Sequence, residues 1–270
     1  MNWLSRTELL IDQQGLDRLK NAHVLVVGLG GVGSFAAEFI CRAGVGEVTI
    51  VDGDEVDPTN INRQLPALQS TVGKAKVEIM AERLKDINPD LRLHTIQEFL
   101  TPDRCREILK QPFDYVMDCI DSLSPKLLLL TTAFEMDVNV VSSMGAGGKM
   151  DPTQIKVAEI YQTHVCKLAR YVRKRIQRLG VKPGKILAVF STEEMDKESL
   201  LMTDGSNYKK SAYGTISYMP AAFGGVAASV VIRRLLNKSV DLVEKPLPMR
   251  KKKKKPSRSS FPGKPQAPSV

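Results

Sequence analysis

Apolar residues keep two rhythms along the first 240 residues of this chain. Short, β-branched apolar runs near 23–28, 47–52, 91–97, 113–118, 138–143 and 154–160 read as strands. Between and beyond them, apolar positions at helical spacing predict helices near 5–20, 31–43, 74–86, 102–110, 124–136, 165–179 and 220–236. Runs such as His-Val-Leu-Val-Val at 23–27 carry no polar alternation, so both of their faces must be covered, as in a parallel strand. Strands that alternate with helices predict an α/β fold: one Rossmann-like domain with a mainly parallel sheet, extended by antiparallel strands from 154 onward. Ser5-Arg6-Thr7-Glu8 reads as a capping box opening the first helix. The apolar segment 220–236 has Arg233 and Arg234 in its last turn and is short for a membrane span.

Charge changes the picture at one end only. The formal net charge is +9, from 39 Lys and Arg against 30 Asp and Glu. Nine of those cations lie from Lys245 onward, where no acid occurs, so the preceding body is balanced. From about Ser239 the chain is rich in Pro, Ser and Lys. We therefore divide it into a domain at 1–238 and a disordered basic tail at 239–270. The tail suits non-specific attraction to RNA or an anionic surface, or solubility alone. With no signal peptide at the N-terminus, a cytoplasmic location is expected.

Candidate chemistry begins at Gly28-Leu29-Gly30-Gly31-Val32-Gly33, which lies between a strand and a helix. In that setting Gly28 permits a tight turn, Gly30 lets backbone approach a phosphate, and Gly33 lets the helix lie close on the strand. Gly31 belongs to the same turn, and the helix N-terminus offers unpaired N–H groups to an anion. Asp52 ends the next strand, 19 residues after Gly33, where a ribose-binding carboxylate belongs. A nicotinamide dinucleotide and ATP fit equally well up to this point. The loop Thr59–Gln64 then brings Arg63, the only strong cation between Arg42 and Lys74, and Lys76 opens the following helix. A triphosphate needs such cations and a metal. Asp121, in Asp118-Cys119-Ile120-Asp121, is a candidate Mg²⁺ ligand. Taken singly, Arg63 and Lys76 read equally well as surface cations, and Asp121 as a helix cap.

Together, Gly-x-Gly-Gly-Val-Gly, Asp52-Gly53-Asp54, Asn60-Ile61-Asn62-Arg63-Gln64, Gly73-x-x-Lys76 and Cys119-x-Asp121 resemble the ubiquitin-activating-enzyme-like adenylating fold of ThiF and MoeB. The likeness covers about residues 5 to 236. It implies Asp52 on the ribose of ATP, with Asp54 of the same motif beside it. Asn60, Arg63 and Lys76 would handle the phosphates, Asp121 would bind Mg²⁺, and Arg63, Lys76 and Asp121 would form the catalytic set. The resemblance also implies a homodimer in which Arg6 reaches the neighbouring protomer's ATP.

Four cysteines, at 41, 105, 119 and 166, include no Cys-x-x-Cys pair, so the structural zinc of ThiF and MoeB has no ligand set here. Their scatter suits reduced thiols. Cys41 and Cys119 read as core residues and Cys105 lies on a polar helix. Cys166, beside Lys167, is a weak candidate nucleophile. Carboxyl adenylation then calls for a nucleophile already present on the substrate. Eight cations and no acid occur from Lys167 to Lys185. On a helix, Lys167, Arg170, Lys174, Arg175 and Arg178 share a wide face opposite Leu168, Val172, Ile176 and Leu179. Such a face reads either as a solvated surface or as a phosphate-backbone footprint.

Within the family, Arg6–Leu10, Gly145-Ala146-Gly147-Gly148 with Asp151–Gln154, the basic helix and Val189–Glu193 are similar to a branch acting on tRNA. That branch adenylates the carboxylate of threonylcarbamoyladenosine and lets the modification cyclise. The implied partner is tRNA carrying that nucleoside. With no cysteine in Lys209–Met219, a sulfur-relay partner is not expected. The rival readings are activation of a ubiquitin-like or sulfur-carrier C-terminus, NAD-dependent oxidoreduction, and non-catalytic tRNA binding.

Overall fold

In the computed structural model of the chain, which describes residues 3–202 and 211–246, β1 (His23–Val27) is buried along its whole length. Val24 and Val26 enter one apolar core while Leu25 and Val27 enter the other. A strand sandwiched in this way has no face left for polar residues, which explains its unbroken apolar run. The other strands of the main sheet are β2 (Glu47–Val51), β3 (Arg92–Ile96), β4 (Tyr115–Asp118), β5 (Val140–Ser143), β6 (Ile155–Glu159) and β7 (Ile186–Ser191). Their spatial order is β3-β2-β1-β4-β5-β7-β6.

The helices are α1 (Ser5–Asn21), α2 (Gly33–Arg42), α3 (Lys76–Ile87), α4 (Pro102–Ile108), α5 (Leu123–Glu135), α6 (Lys167–Arg178) and α7 (Tyr218–Leu235). Buried residues of α2, α3 and α7 fill one core, and those of α4, α5 and α6 fill the other. β8 (Leu200–Met202) and β9 (Ser211–Tyr213) form a separate antiparallel pair. Every expected strand and helix is present near its expected position, and the fold is the mixed, mostly parallel α/β sheet read from the sequence.

The structure departs from expectation in four places. The sheet has a further strand, β7, which runs parallel to β5 and antiparallel to β6, so the C-terminal addition is half parallel. The first helix begins after Leu4, with no side-chain cap, and the Ser5–Glu8 capping box does not form. Instead α1 breaks at Asp12, whose φ is 60°, and the Asp12 carboxylate caps the second half by accepting the Gly15 N–H at 2.8 Å. Finally, the chain past 238 does not leave the domain at once. Val240 is buried, and Val243 donates its N–H to the Val157 carbonyl at 2.9 Å, so apolar contacts extend the packed body beyond the expected boundary. The rest of the tail, 247–270, lies outside the described residues. No described helix is long and apolar enough to cross a membrane.

Candidate functional site

Strand order reverses between β1 and β4: the chain runs outward from β1 through β2 to β3, then returns to the other side of β1. The loops leaving β1 and β4 must diverge there, which opens a crevice at the C-terminal ends of the strands. The structure brings two of the predicted segments together at that point. Cys119 donates its N–H to the Val27 carbonyl at 2.9 Å, and the Gly28 turn packs directly on the Cys119–Ile120 backbone. Gly28 has φ +89°, a left-handed conformation that a side chain would strain. A methyl group on Gly33 would lie 1.7 Å from the Gly28 carbonyl oxygen, so the turn closes only with glycine there. Gly31 meets Pro220 at the start of α7. Gly30 faces open space, with only the Gln64 amide nearby at 3.8 Å.

Asp52 sits at the edge of this crevice. Its two oxygens accept the backbone N–H groups of Leu29 (2.5 Å) and Asp54 (2.7 Å), which fixes the carboxylate beside the glycine turn. Burial pushes its pKa above the ordinary aspartate value, against the pull of Lys76 and of the two amides. Lys76, 4% exposed at the first position of α3, places Nζ 3.0 Å from Oδ2 of Asp54. An ammonium has three donors, and Asp54 uses one of them.

The Thr59–Gln64 loop is held from within. Asn60 caps a 3-10 turn with Asp57, its Oδ1 accepting the Asp57 N–H at 3.3 Å. Arg63, half-buried, donates through Nη1 to the Thr59 carbonyl (2.9 Å) and to Oδ1 of Asn62 (2.8 Å). Asn62 in turn donates to the Thr215 carbonyl at 2.9 Å. Oδ1 of Asp121, which is exposed after β4, accepts from Ser122 Oγ at 3.3 Å. Arg6 is exposed on the half-helix ahead of the Asp12 break, and no described contact joins it to this crevice.

Three arrangements here had not been singled out from the sequence. Beneath Asp121, the fully buried Asp118 and Lys126 pair at 2.5 Å, and Lys126 also reaches the Ser143 carbonyl (3.0 Å) while Ser142 Oγ bonds Asp118 at 2.5 Å. Lys126 on an otherwise apolar helix was the available signal. Second, the Gly145–Asp151 loop is pinned by Glu193, whose carboxylate accepts the N–H groups of Met150 and Asp151. The buried Lys149 donates to the Glu193 carbonyl at 3.2 Å. Third, the Gln64 side chain reaches Gly30 through its amide nitrogen, while its buried Oε1 has no hydrogen-bond partner. A native orphan of that kind marks a place for a ligand donor or a water.

No cysteine is exposed. Cys41, Cys105 and Cys166 are buried, so Cys105 belongs to the core although its helix is polar. Burial pushes the Cys41 and Cys119 thiols up to about 11 and about 12. On α6, Ala169, Val172 and Ile176 face the core, while Lys167, Arg170, Lys174, Arg175 and Arg178 are exposed together with Tyr171. Leu179 does not join the buried stripe: it follows the last turn and is 63% exposed.

The sequence pattern of the ThiF family matches residues 4–269. A tRNA threonylcarbamoyladenosine dehydratase of Bacillus subtilis is 43% identical over 193 residues, 72% of this chain and 76% of that protein. The one from Escherichia coli is 37% identical over 249 residues, 86% of this chain and 93% of that protein. The crystal structure of the Escherichia coli dehydratase in complex with ATP superposes with a TM-score of 0.79 at 36% identity, covering 87% and 93% of the two chains.

Proposed function

The chain belongs to the ThiF family, and from that premise we propose that it dehydrates threonylcarbamoyladenosine in tRNA at the expense of ATP. The likeness to the two dehydratases carries this reading, and the chemistry of the crevice agrees with it. The threonyl carboxylate attacks the α-phosphorus of ATP, the bond to the bridging oxygen breaks, and pyrophosphate leaves. The threonylcarbamoyl group then closes on its own activated carbonyl and expels AMP, for a net loss of one water. A nucleophile carried by the substrate requires no protein thiol, which suits a chain without an exposed cysteine.

The Gly28–Gly33 turn and the N-terminus of α2 take the phosphates, where backbone N–H groups and the helix dipole favour negative charge. Asp52 receives the ribose hydroxyls. Its carboxylate is already aimed by Leu29 and Asp54, and each oxygen keeps a lone pair for a further donor. Asn60 holds the loop from which Arg63 reaches the phosphates. Lys76 shares its charge between Asp54 and the phosphate chain. The exposed carboxylate of Asp121 is a hard oxygen donor of the kind Mg²⁺ takes alongside phosphate oxygens, and the ion would neutralise charge on the departing pyrophosphate. The protein's part is thus orientation and charge stabilisation.

The exposed face of α6 takes the tRNA, its cations on phosphates and Tyr171 among them as a stacking surface for an unpaired base. The half-helix Ser5–Ile11 exposes Leu9 and Leu10 beside Arg6, which supports a homodimer with Arg6 directed at the neighbouring site. The enzyme works in the cytoplasm with its tRNA.

Mass spectrometry of nucleosides from tRNA bearing threonylcarbamoyladenosine, incubated with the chain and ATP, tests the reaction. The substrate nucleoside should lose one water and AMP should appear. An unchanged nucleoside, with adenylation of a carrier-protein C-terminus instead, would overturn it. Neutralising Lys174, Arg175 and Arg178 together should weaken tRNA binding and lower its salt slope by about one per cation removed, with ATP binding unchanged. Filter binding across a salt series measures both.

ATP affinity should also depend on pH through Asp52. The ionised carboxylate accepts the ribose hydroxyls, so affinity is complete above the Asp52 pKa and falls by about tenfold per pH unit below it. Because burial raises that pKa, the decline should begin at a higher pH than an ordinary aspartate gives. Calorimetric titration of ATP at descending pH checks this, and Asp52→Asn should bind weakly with a flat profile.

A further inference from the structure

At the opposite end of the sheet from the glycine turn, β1 and β2 open with His23 and Glu47, and His94 is the third residue of β3. Parallel register sets His23 beside Glu47 and His94 beside Thr49. Alternate residues of a strand share a face, so Glu47 and Thr49 point the same way. Nδ1 of His23 lies 3.6 Å, and Nε2 of His94 2.9 Å, from the same Glu47 oxygen, Oε1. The donor atoms of all three residues fall within 4.8 Å of one another. The proposed reaction uses none of them, since β1 alone separates His23 from the glycine turn by about 13 Å.

The neighbours hold this group in a ligating arrangement. Thr49 Oγ1 lies 2.9 Å from Nε2 of His23, which leaves Nδ1 as the nitrogen facing Glu47. Histidines that bind metal ordinarily have their second nitrogen held in this way. Arg92 Nε bonds the other Glu47 oxygen, Oε2, at 3.1 Å, so Oε1 remains turned toward the imidazoles. The Phe113 ring stands 4.5 Å from the His23 ring and walls the buried side, while the exposed His94 leaves room for solvent. Two imidazoles, which are borderline donors, with one carboxylate suit Zn²⁺ better than Mg²⁺ or Ca²⁺, which prefer oxygen donors. Tetrahedral zinc, with bonds of about 2.0–2.2 Å, sets its donors roughly 3.3 Å apart. The two distances to Glu47 already bracket that spacing, and a turn of the exposed His94 ring supplies the rest.

We propose that His23, Glu47 and His94 form a binding site for a divalent cation of the Zn²⁺ class, with water as the fourth ligand. The ion ties the exposed edge strand β3 to β2 and β1. The cysteine ligands expected of a ThiF-type structural zinc play no part in it.

The test titrates Zn²⁺ into the metal-free full-length chain against a chromogenic chelator, and follows Co²⁺ by its visible absorption. The expected result is one Zn²⁺ per chain, tetrahedral Co²⁺ bands, and a thermal midpoint that rises with zinc. His94→Ala and Glu47→Gln should lose the Co²⁺ bands and the thermal response, and Thr49→Val should weaken binding by about 10–100-fold. Absence of one-to-one binding, or equal binding by His94→Ala, would overturn the site. Because His94 is exposed, its replacement leaves the fold standing, and that variant decides the question alone if Glu47→Gln does not fold.

Discussion

Replacing Arg63 with alanine should slow adenylation by about 10²–10³-fold, the usual loss when one charge-stabilising donor is removed from a transition state. The guanidinium is anchored by the Thr59 carbonyl and Asn62 through a single nitrogen, so the rest of its donor fork remains available to the phosphates. An arginine held in this way is set before ATP arrives, and its effect should appear in kcat rather than in the affinity for tRNA. ATP–pyrophosphate exchange and single-turnover dehydration would measure it. Arg63 is half-buried on a loop, and its loss removes the hydrogen bonds to the Thr59 carbonyl and Asn62, so stability should change by only about 0.5–1.5 kcal/mol. Arg63→Lys should recover only part of the rate, because a point charge replaces a planar fork. A rate within a few-fold of the unaltered protein would remove Arg63 from the catalytic set.

Lys126→Met should destabilise the fold by about 3–5 kcal/mol, because it strands the Asp118 carboxylate where no water reaches it. At about 2–4 °C per kcal/mol for a chain of this size, the melting midpoint should fall by roughly 6–20 °C. The damage is local in origin and functional in consequence. Asp118 also accepts the N–H of Ile120, so the pair holds the loop that carries Asp121 and packs against the Gly28 turn. Replacing both partners with apolar residues should restore much of the stability, since the pair's worth lies largely in mutual compensation. Thermal and chemical denaturation of the single and double variants would separate these outcomes. A single variant as stable as the parent would show that the pair is not a structural element.

Much of the crevice was legible because its parts are local. A glycine that must take a left-handed turn, or lie 1.7 Å from a carbonyl were it anything larger, announces itself by type and spacing. That Asp52 lies beside the turn follows from its distance along the chain, which the strand–helix–strand geometry fixes. The basic face of α6 followed from helical period alone, apart from Leu179, which the helix end releases into solvent. Less legible were features that depend on what returns from far along the chain. β7 slots between β5 and β6, and a short apolar run cannot say which neighbours it pairs with or in which direction. Val240 and Val243 continue the packed body because apolar surfaces happen to lie within reach of them, although composition there suggests a tail. The capping box failed because the helix starts one residue early, and Asp12 supplied a cap in the middle of the pattern instead.

By itself the sequence determined the alternation of strands and helices, the glycine turn, the position of Asp52 and the acid-free basic helix. Period, backbone freedom and charge act over a few residues and need no partner to be read. Only the tertiary structure decided that Lys126 neutralises Asp118, that Lys76 pairs with Asp54, and that no cysteine is exposed. It also decided that His23, Glu47 and His94, more than 20 residues apart in sequence, converge on one oxygen. Such pairings depend on strand order and register, which bring distant residues within a few ångströms and set the dielectric around them.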